Sequence, residues 1–144
     1  MGNLGTLVRA VLSGDAPAVQ DSLRKLVLNL LSYHDVAAPD PERVYHAFVL
    51  GLFAELPAGY RPFSNREFGD GRPDVVLLPA DPATQPTAVL EFKTPDDGET
   101  VQHAAERAAA QMAEKRYVQG VDGDKVYAWA VGFDRKKVVV SQVT

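Results

Sequence analysis

The sequence predicts an α/β domain in which a mixed central β-sheet carries helices on both sides. Apolar residues recur at helical spacing through the first 56 positions, and strong helix formers return after position 98. Between and beyond these stretches stand short, continuous apolar runs bounded by proline, glycine and aspartate. Runs of that kind suit strands covered on both faces. No linker, internal repeat or low-complexity tract divides the chain.

Each element has its own warrant. Residues 5–12 form a short helix that stops at Ser13-Gly14-Asp15. Asp15 and Pro17 then mark a helix start, with proline near the first turn. Val19, Leu23, Leu26, Val27 and Leu30 follow at spacings of three and four and end near Ser32-Tyr33-His34-Asp35. Asp40-Pro41-Glu42 opens a second main helix: a capping residue, proline at the first position and an acid in the first turn. It runs to about Leu56, is apolar nearly all round, and is expected to be buried. After Pro57-Ala58-Gly59 the pattern becomes extended. Strands are predicted over 60–68, 72–78 and 87–93, with a proline-rich loop at 79–86. Residues 99–118 read as a helix, 120–124 as its break, and 125–132 and 137–143 as two strands joined by a turn near Asp134-Arg135. The order of main elements is α-α-β-β-β-α-β-β.

At 144 residues one domain is expected over 1–144, with N-terminal helices over 1–38 and a core over 39–144. The absence of cysteine excludes disulfides, thiol nucleophiles and cysteine-type zinc sites. The net charge of −4 argues against coating nucleic acid through an overall basic field, so any such contact must be local or helped by a cation. The N-terminus lacks the features of a signal peptide. The longest apolar stretch, residues 47–54, is far short of the ~20 residues that span a bilayer. A soluble, cytoplasmic protein without a membrane partner is expected.

The second and third strands carry the chemistry. Asp74 opens one and Glu91-Phe92-Lys93 closes the next, with the two acids almost equidistant from the loop centre near residue 83. Equidistant residues of an antiparallel hairpin are cross-strand neighbours. Glu91 and Lys93 are two apart, so they share a face while Phe92 takes the other. A Glu-x-Lys on a strand is ordinarily a solvated face, and a Pro-Asp is ordinarily turn chemistry; their meeting on paired strands is what points to a site. Two carboxylates suit Mg²⁺, a hard cation that keeps several waters. Such an ion polarises a phosphate and activates a bound water, while a lysine steadies the growing negative charge.

Other residues are candidates of a lesser kind. Glu42 is by default an acid favoured by its helix N-terminus. His46 lies one turn beyond it on the same face, and a core or hydrogen-bonding histidine is expected there. Arg66 and Glu67 alternate on a predicted strand, so either can border the site, and Arg72 is a candidate phosphate contact. Gln111, among Ala108, Ala109 and Met112, is expected near the sheet, and Tyr117 reads as a packing residue with a polar tip. His34 and His103 have no metal-like partner spacing and read as surface or capping groups. There is no Walker glycine loop, Ser-His-Asp hint or zinc pattern.

Arg72-Pro73-Asp74 followed by Glu91-Phe92-Lys93 resembles the signature of the PD-(D/E)XK nuclease superfamily. The resemblance is closer to a bacterial branch in which the domain usually lies C-terminal to an AAA-ATPase-like domain. It takes in Leu31-Ser32-Tyr33-His34-Asp35, Glu42 with Tyr45-His46, Ser64-Asn65-Arg66-Glu67 through Gly69-Asp70-Gly71, Gln111 with Tyr117, and Gly132-Phe133. The resemblance implies a restriction-endonuclease-like core and cleavage of nucleic acid, DNA rather than RNA, with Mg²⁺ (Mn²⁺ substituting). It implies Asp74 and Glu91 as metal ligands, Lys93 as the catalytic lysine, Glu42 as a helix-borne acid of the site, and Gln111 as a residue of the helix packed over it. Arg66, Arg72 and Tyr117 are then substrate-side residues, and an ATPase-like domain and a homodimer are the expected partners. The rival readings are an inactive module that binds nucleic acid and an interaction or dimerisation module. The latter would be favoured by a long exposed apolar face on residues 16–31.

Overall fold

The computed structural model describes residues 2–34, 40–121, 125–135 and 137–143. Its elements are α1 (Gly2–Val11), α2 (Ala16–His34), α3 (Pro41–Ala54), β1 (Arg61–Ser64), β2 (Val75–Leu78), β3 (Thr87–Lys93), α4 (Val101–Glu114), β4 (Val126–Asp134) and β5 (Lys137–Gln142). Asp35 of the first resembling motif and residues 122–124 of the predicted break lie outside the described residues, as do the side chains of Leu31, Ser32, Tyr33 and His34.

The five strands form one sheet in sequence order, β1-β2-β3-β4-β5. Every neighbouring pair is antiparallel except β3–β4, so the sheet is mixed as expected. Parallel neighbours need a long crossover, and α4 supplies it. The alternation of side chains along each strand divides the core in two. On one face Ala88, Leu90 and Phe92 of β3 join Trp129 and Val131 of β4 against Val11, Val19, Leu23, Val44 and Phe48 of α1, α2 and α3. On the other, Val89 of β3 and Ala128 and Ala130 of β4 pack against Ala108 and Met112 of α4. Helices therefore cover both faces. The Trp129 indole N–H donates to the Val11 carbonyl at 3.1 Å, which ties the end of α1 to the centre of the sheet.

Local signals set the helix ends. The Asp40 carboxylate accepts the Arg43 N–H at 2.9 Å ahead of Pro41, and the Thr100 hydroxyl accepts the His103 N–H at 3.0 Å. Several expectations were too long. The first strand spans four residues rather than 60–68, because Asn65 turns into the left-handed region at φ 56°. The second begins at Val75, so Asp74 stands just before it. The helix expected over 99–118 stops at Glu114, after which Arg116 takes φ 53°. The apolar composition of α3 also overstated its burial: Val44, Phe48, Gly51 and Leu52 are buried, but Leu50 is 68% exposed. One face of that helix meets the core and the opposite face meets water. On α2 the apolar stripe points inward and Leu28 is its exposed large apolar residue among those described. Among the described side chains of α2, the long exposed apolar face that would mark a docking module is therefore not seen. No helix among the described residues is long and apolar enough to cross a membrane.

Gly132 lets α4 approach the sheet. A Cβ on it would stand 2.4 Å from the Val101 carbonyl oxygen and 2.7 Å from the Ala105 nitrogen, both backbone atoms of α4. Glycine within a strand is used where another backbone comes this close. Gly132→Val should force α4 off β4 and lower stability by about 3 kcal/mol, read as a reduced urea midpoint with an unchanged slope.

Candidate active site

The β2–β3 register pairs Val75 with Leu90, Val76 with Val89 and Leu77 with Ala88. Continued by one residue it sets Asp74 opposite Glu91. Both then share the face of Val76 and Val89, towards α4. The main chain locks the pair in both directions. The Asp74 carboxylate accepts the Phe92 N–H at 2.8 Å, and the Glu91 carboxylate accepts the Asp74 N–H at 3.3 Å. Lys93, two residues along the same face, brings its Nζ to 3.6 Å from Glu91 Oε2. Phe92 turns the other way, edge-on to Tyr45 with ring centroids 5.4 Å apart.

Two acids in a half-dry place repel each other and lose hydration. Burial raises the Asp74 carboxyl above its usual range, against the Phe92 hydrogen bond and the Lys93 charge. Burial raises Glu91 further, and the Asp74 charge adds to it, to about 7 despite Lys93 and the Asp74 N–H. Glu91 is 3% exposed. A polar roof meets it from α4: the Gln111 side-chain amide donates to Glu91 Oε2 at 2.9 Å and to the Tyr117 hydroxyl at 3.0 Å. The backbone of Arg72 also hydrogen-bonds that hydroxyl, and burial above all raises the Tyr117 phenol.

The loop 65–74 is fastened beside the pair. The Asn65 N–H donates to the Asp74 carbonyl at 3.1 Å and the Asp70 N–H to the Lys115 carbonyl at 2.7 Å. The Arg116 guanidinium donates to Asp70 at 2.8 Å and holds that carboxyl below its usual range. Gly69, at φ 65°, lies so close to the end of α4 that a Cβ would fall 2.3 Å from the Arg116 carbonyl oxygen.

The site opens to a depression of about 440 Å³ whose walls include Glu42, Tyr45, Asp74, Lys93, Asp96 and Arg107. A second depression of about 460 Å³, with Gln111 and Lys115 in its wall, also borders Lys93 and Arg107. Arg107 bonds both oxygens of Glu99, at 2.7 and 2.9 Å, and the Thr94 carbonyl at 2.9 Å. It thus straps down the chain that leaves Lys93. The Arg107 hydrogen bond, then the Asp96 N–H, takes the Glu99 carboxyl down to about 2.

Of the residues singled out in the sequence, the fold brings Asp74, Glu91, Lys93, Gln111 and Tyr117 together. Glu42 is exposed at the mouth of the first depression and makes no direct bond to the pair. Arg72 is exposed, 3.9 Å from Glu67. Arg66 lies over the Phe63 ring rather than on a strand, and Glu67 is exposed with it in the loop. His46 is exposed rather than in the core, and His103 is a surface partner of Glu99. Arg107 was not singled out, and Tyr45 entered only within the resembling motif, with no role assigned to it. Tyr45 stands three residues after Glu42, and so on the same helical face. Burial first, then the charges of Asp74 and Glu91, raises its phenol, while a Ser64 hydrogen bond opposes them. For Arg107, whose partner is eight residues away, the sequence offered no comparable sign.

Among the described residues no group of three or more His, Cys, Asp or Glu side chains is arranged to hold a metal ion. The oxygen pair still has the chemistry of a hard-cation site. Mg²⁺ is commonly bound through one or two carboxylates, with waters and substrate phosphate completing its shell. The pair also carries buried negative charge that one lysine offsets only in part.

Sheet order and site together define an α/β domain with an acid–acid–lysine group at the end of a β-hairpin. A model of the PD-(D/E)XK nuclease superfamily matches residues 40–143. The chain belongs to that superfamily, whose members are generally nucleases and typically use divalent metal ions. No curated protein matches the chain at a significant level.

The Glu91 shift has a consequence for stability. The ordinary value is 4.5 and the folded value about 7, so the fold holds this proton more tightly than the unfolded chain does. Its contribution is most favourable below 4.5 and is lost as pH rises through about 7. The stability of Glu91→Gln relative to the parent should therefore rise between pH 5 and pH 8, by on the order of 3 kcal/mol in chelator-treated buffer, read as thermal melting at each pH. A melting difference that does not change with pH would refute this assignment.

Proposed function

We propose that the protein is a metal-dependent nuclease that hydrolyses phosphodiester bonds, with Mg²⁺ held by Asp74 and Glu91 and with Lys93 assisting. The observation that carries this reading is the two carboxylates locked to each other's backbone with the Lys93 ammonium beside them, at the edge of an open depression. DNA as the preferred substrate and an ATPase-like partner domain come from the branch that the sequence resembles, and a cytoplasmic location from the composition and the N-terminal sequence.

When bound, the cation would polarise the phosphate and lower the pKa of a coordinated water. The chain's own groups do the rest. Asp74 and Glu91 are pre-set by main-chain N–H groups, so little reorganisation accompanies binding. Lys93 extends from the same strand as Glu91, where its ammonium orients the attacking water and offsets charge on the phosphoryl oxygens. The water oxygen forms a bond to phosphorus and gives up a proton to solvent, the ester P–O bond breaks, and the departing alkoxide takes up a proton from solvent. Gln111 is occupied with Glu91 and Tyr117, so its role is to hold Glu91. Glu42 at the mouth acts through intervening water.

Lys93→Ala should reduce Mg²⁺-dependent cleavage of plasmid DNA by at least 100-fold while Mn²⁺ binding and the circular dichroism spectrum stay near the parent's. Asp74→Asn should lower both Mn²⁺ affinity, read by calorimetry, and rate. Glu42→Gln should slow cleavage less than Asp74→Asn does. Undiminished cleavage by purified Lys93→Ala would end the reading.

A further inference from the structure

We infer that the outer edge of β1, where Arg61 and Arg66 stack on Phe63, is a docking track for an unpaired nucleic-acid strand that runs into the Asp74–Glu91 site. This rests on the nuclease reading and names the form of its substrate.

β1 is the outermost strand of the sheet. The Arg61 guanidinium carbon lies 5.6 Å from the Phe63 ring centroid and that of Arg66 lies 4.8 Å from it. Both are within the range of a cation–π contact, and both arginines are exposed. Several other cations near the site are engaged otherwise: Arg72 with Glu67, Arg107 with Glu99, Arg116 with Asp70. Arg61 and Arg66 meet no carboxylate among the described residues, so their N–H donors stay available. In a chain of net charge −4, an unneutralised pair of arginines is a local positive feature of the kind that a phosphate backbone requires.

The register sets this feature beside the acids. Phe63 pairs with Val76, which shares the sheet face of Asp74 and Glu91. From Phe63 to Asp74 is one strand across and two residues along, roughly 8 Å. Asn65, at φ 56° and bonded through its N–H to the Asp74 carbonyl, turns the chain so that Arg66 folds back over the ring. The stack and the acid pair are therefore joined through one backbone.

Proteins that bind single strands combine aromatic and guanidinium planes, on which bases stack, with cations that track phosphates. A duplex keeps its base faces inside. An added peptide strand is the other occupant an edge invites. Pro62 removes an N–H from this edge and two cations flank it, features that discourage strand addition.

The test uses the full chain, without divalent metal, and reads anisotropy of a labelled oligothymidine and of a blunt duplex. Arg61→Gln/Arg66→Gln should weaken oligothymidine binding at least tenfold and reduce the salt slope by about 1.4, for two phosphates. Phe63→Leu should weaken it about fivefold with the slope retained. Arg61→Lys/Arg66→Lys, which keeps the charge, should also retain the slope. Duplex binding should change less than twofold in all three. Parent-like oligothymidine affinity in the folded glutamine pair would overturn the inference, as would an equal loss for the duplex. Gain of self-association with affinity unchanged would also overturn it, because the arginines would then merely guard the edge. Cleavage by Lys93→Ala tests the nuclease reading separately. Lost cleavage with arginine-independent binding sinks the track alone. Retained cleavage with arginine-dependent binding sinks the catalytic reading and leaves the track.

Discussion

Asp74 and Glu91 each receive a main-chain N–H from the other's strand or its immediate neighbour. This reciprocal bonding depends on one register, Val75 against Leu90. A slip of one residue would send every side chain of a strand to the opposite face. A slip of β3 would turn Glu91 and Lys93 towards the α3 side and Phe92 towards α4, and so part them from Asp74. The hydrophobic alternation of β2 and β3 therefore fixes the polar site as firmly as it fixes the core.

Buried carboxylates destabilise a fold unless something answers their charge and their lost hydration. Here the answers come from several directions and each needs its own support. Gln111 reaches Glu91 because α4 lies against β4 at Gly132, where no Cβ intervenes. Lys93 lies between two depressions, with Arg107 strapping the chain just beyond it to Glu99 and to the Thr94 carbonyl. The loop 65–74 is fixed at Asp70 by Arg116 and by the Lys115 carbonyl. Even so, Glu91 stays raised to about 7. A site that leaves residual negative charge at rest is one in which a divalent cation would be well placed.

Charge is distributed unevenly. The molecule as a whole is acidic at −4, yet cations gather near the site and along β1. Most are neutralised by named partners, which makes them part of the scaffold. Those stacked on Phe63 are not, and the distinction between a paired and a stacked arginine separates structural cations from candidate substrate contacts.

The sequence by itself determined the element order, the mixed sheet's two covered faces, and the meeting of Asp74, Glu91 and Lys93. Alternation along a strand and equal distance from a turn are local rules, and hydrophobic burial enforces them. It also marked Gln111 and Tyr117, through resemblance rather than spacing. Strand and helix ends at Asn65, Val75 and Glu114 were not legible, since they depend on where the loop 65–74 meets the end of α4. The exposure of Glu42 and His46, the place of Tyr45 in the wall, the strap made by Arg107 and the stack on Phe63 were decided by tertiary structure alone. The stack on Phe63 depends on the left-handed turn at Asn65; the others depend on the distance between groups on different elements or far apart in space, which is set by helix packing on the sheet and which no local pattern encodes.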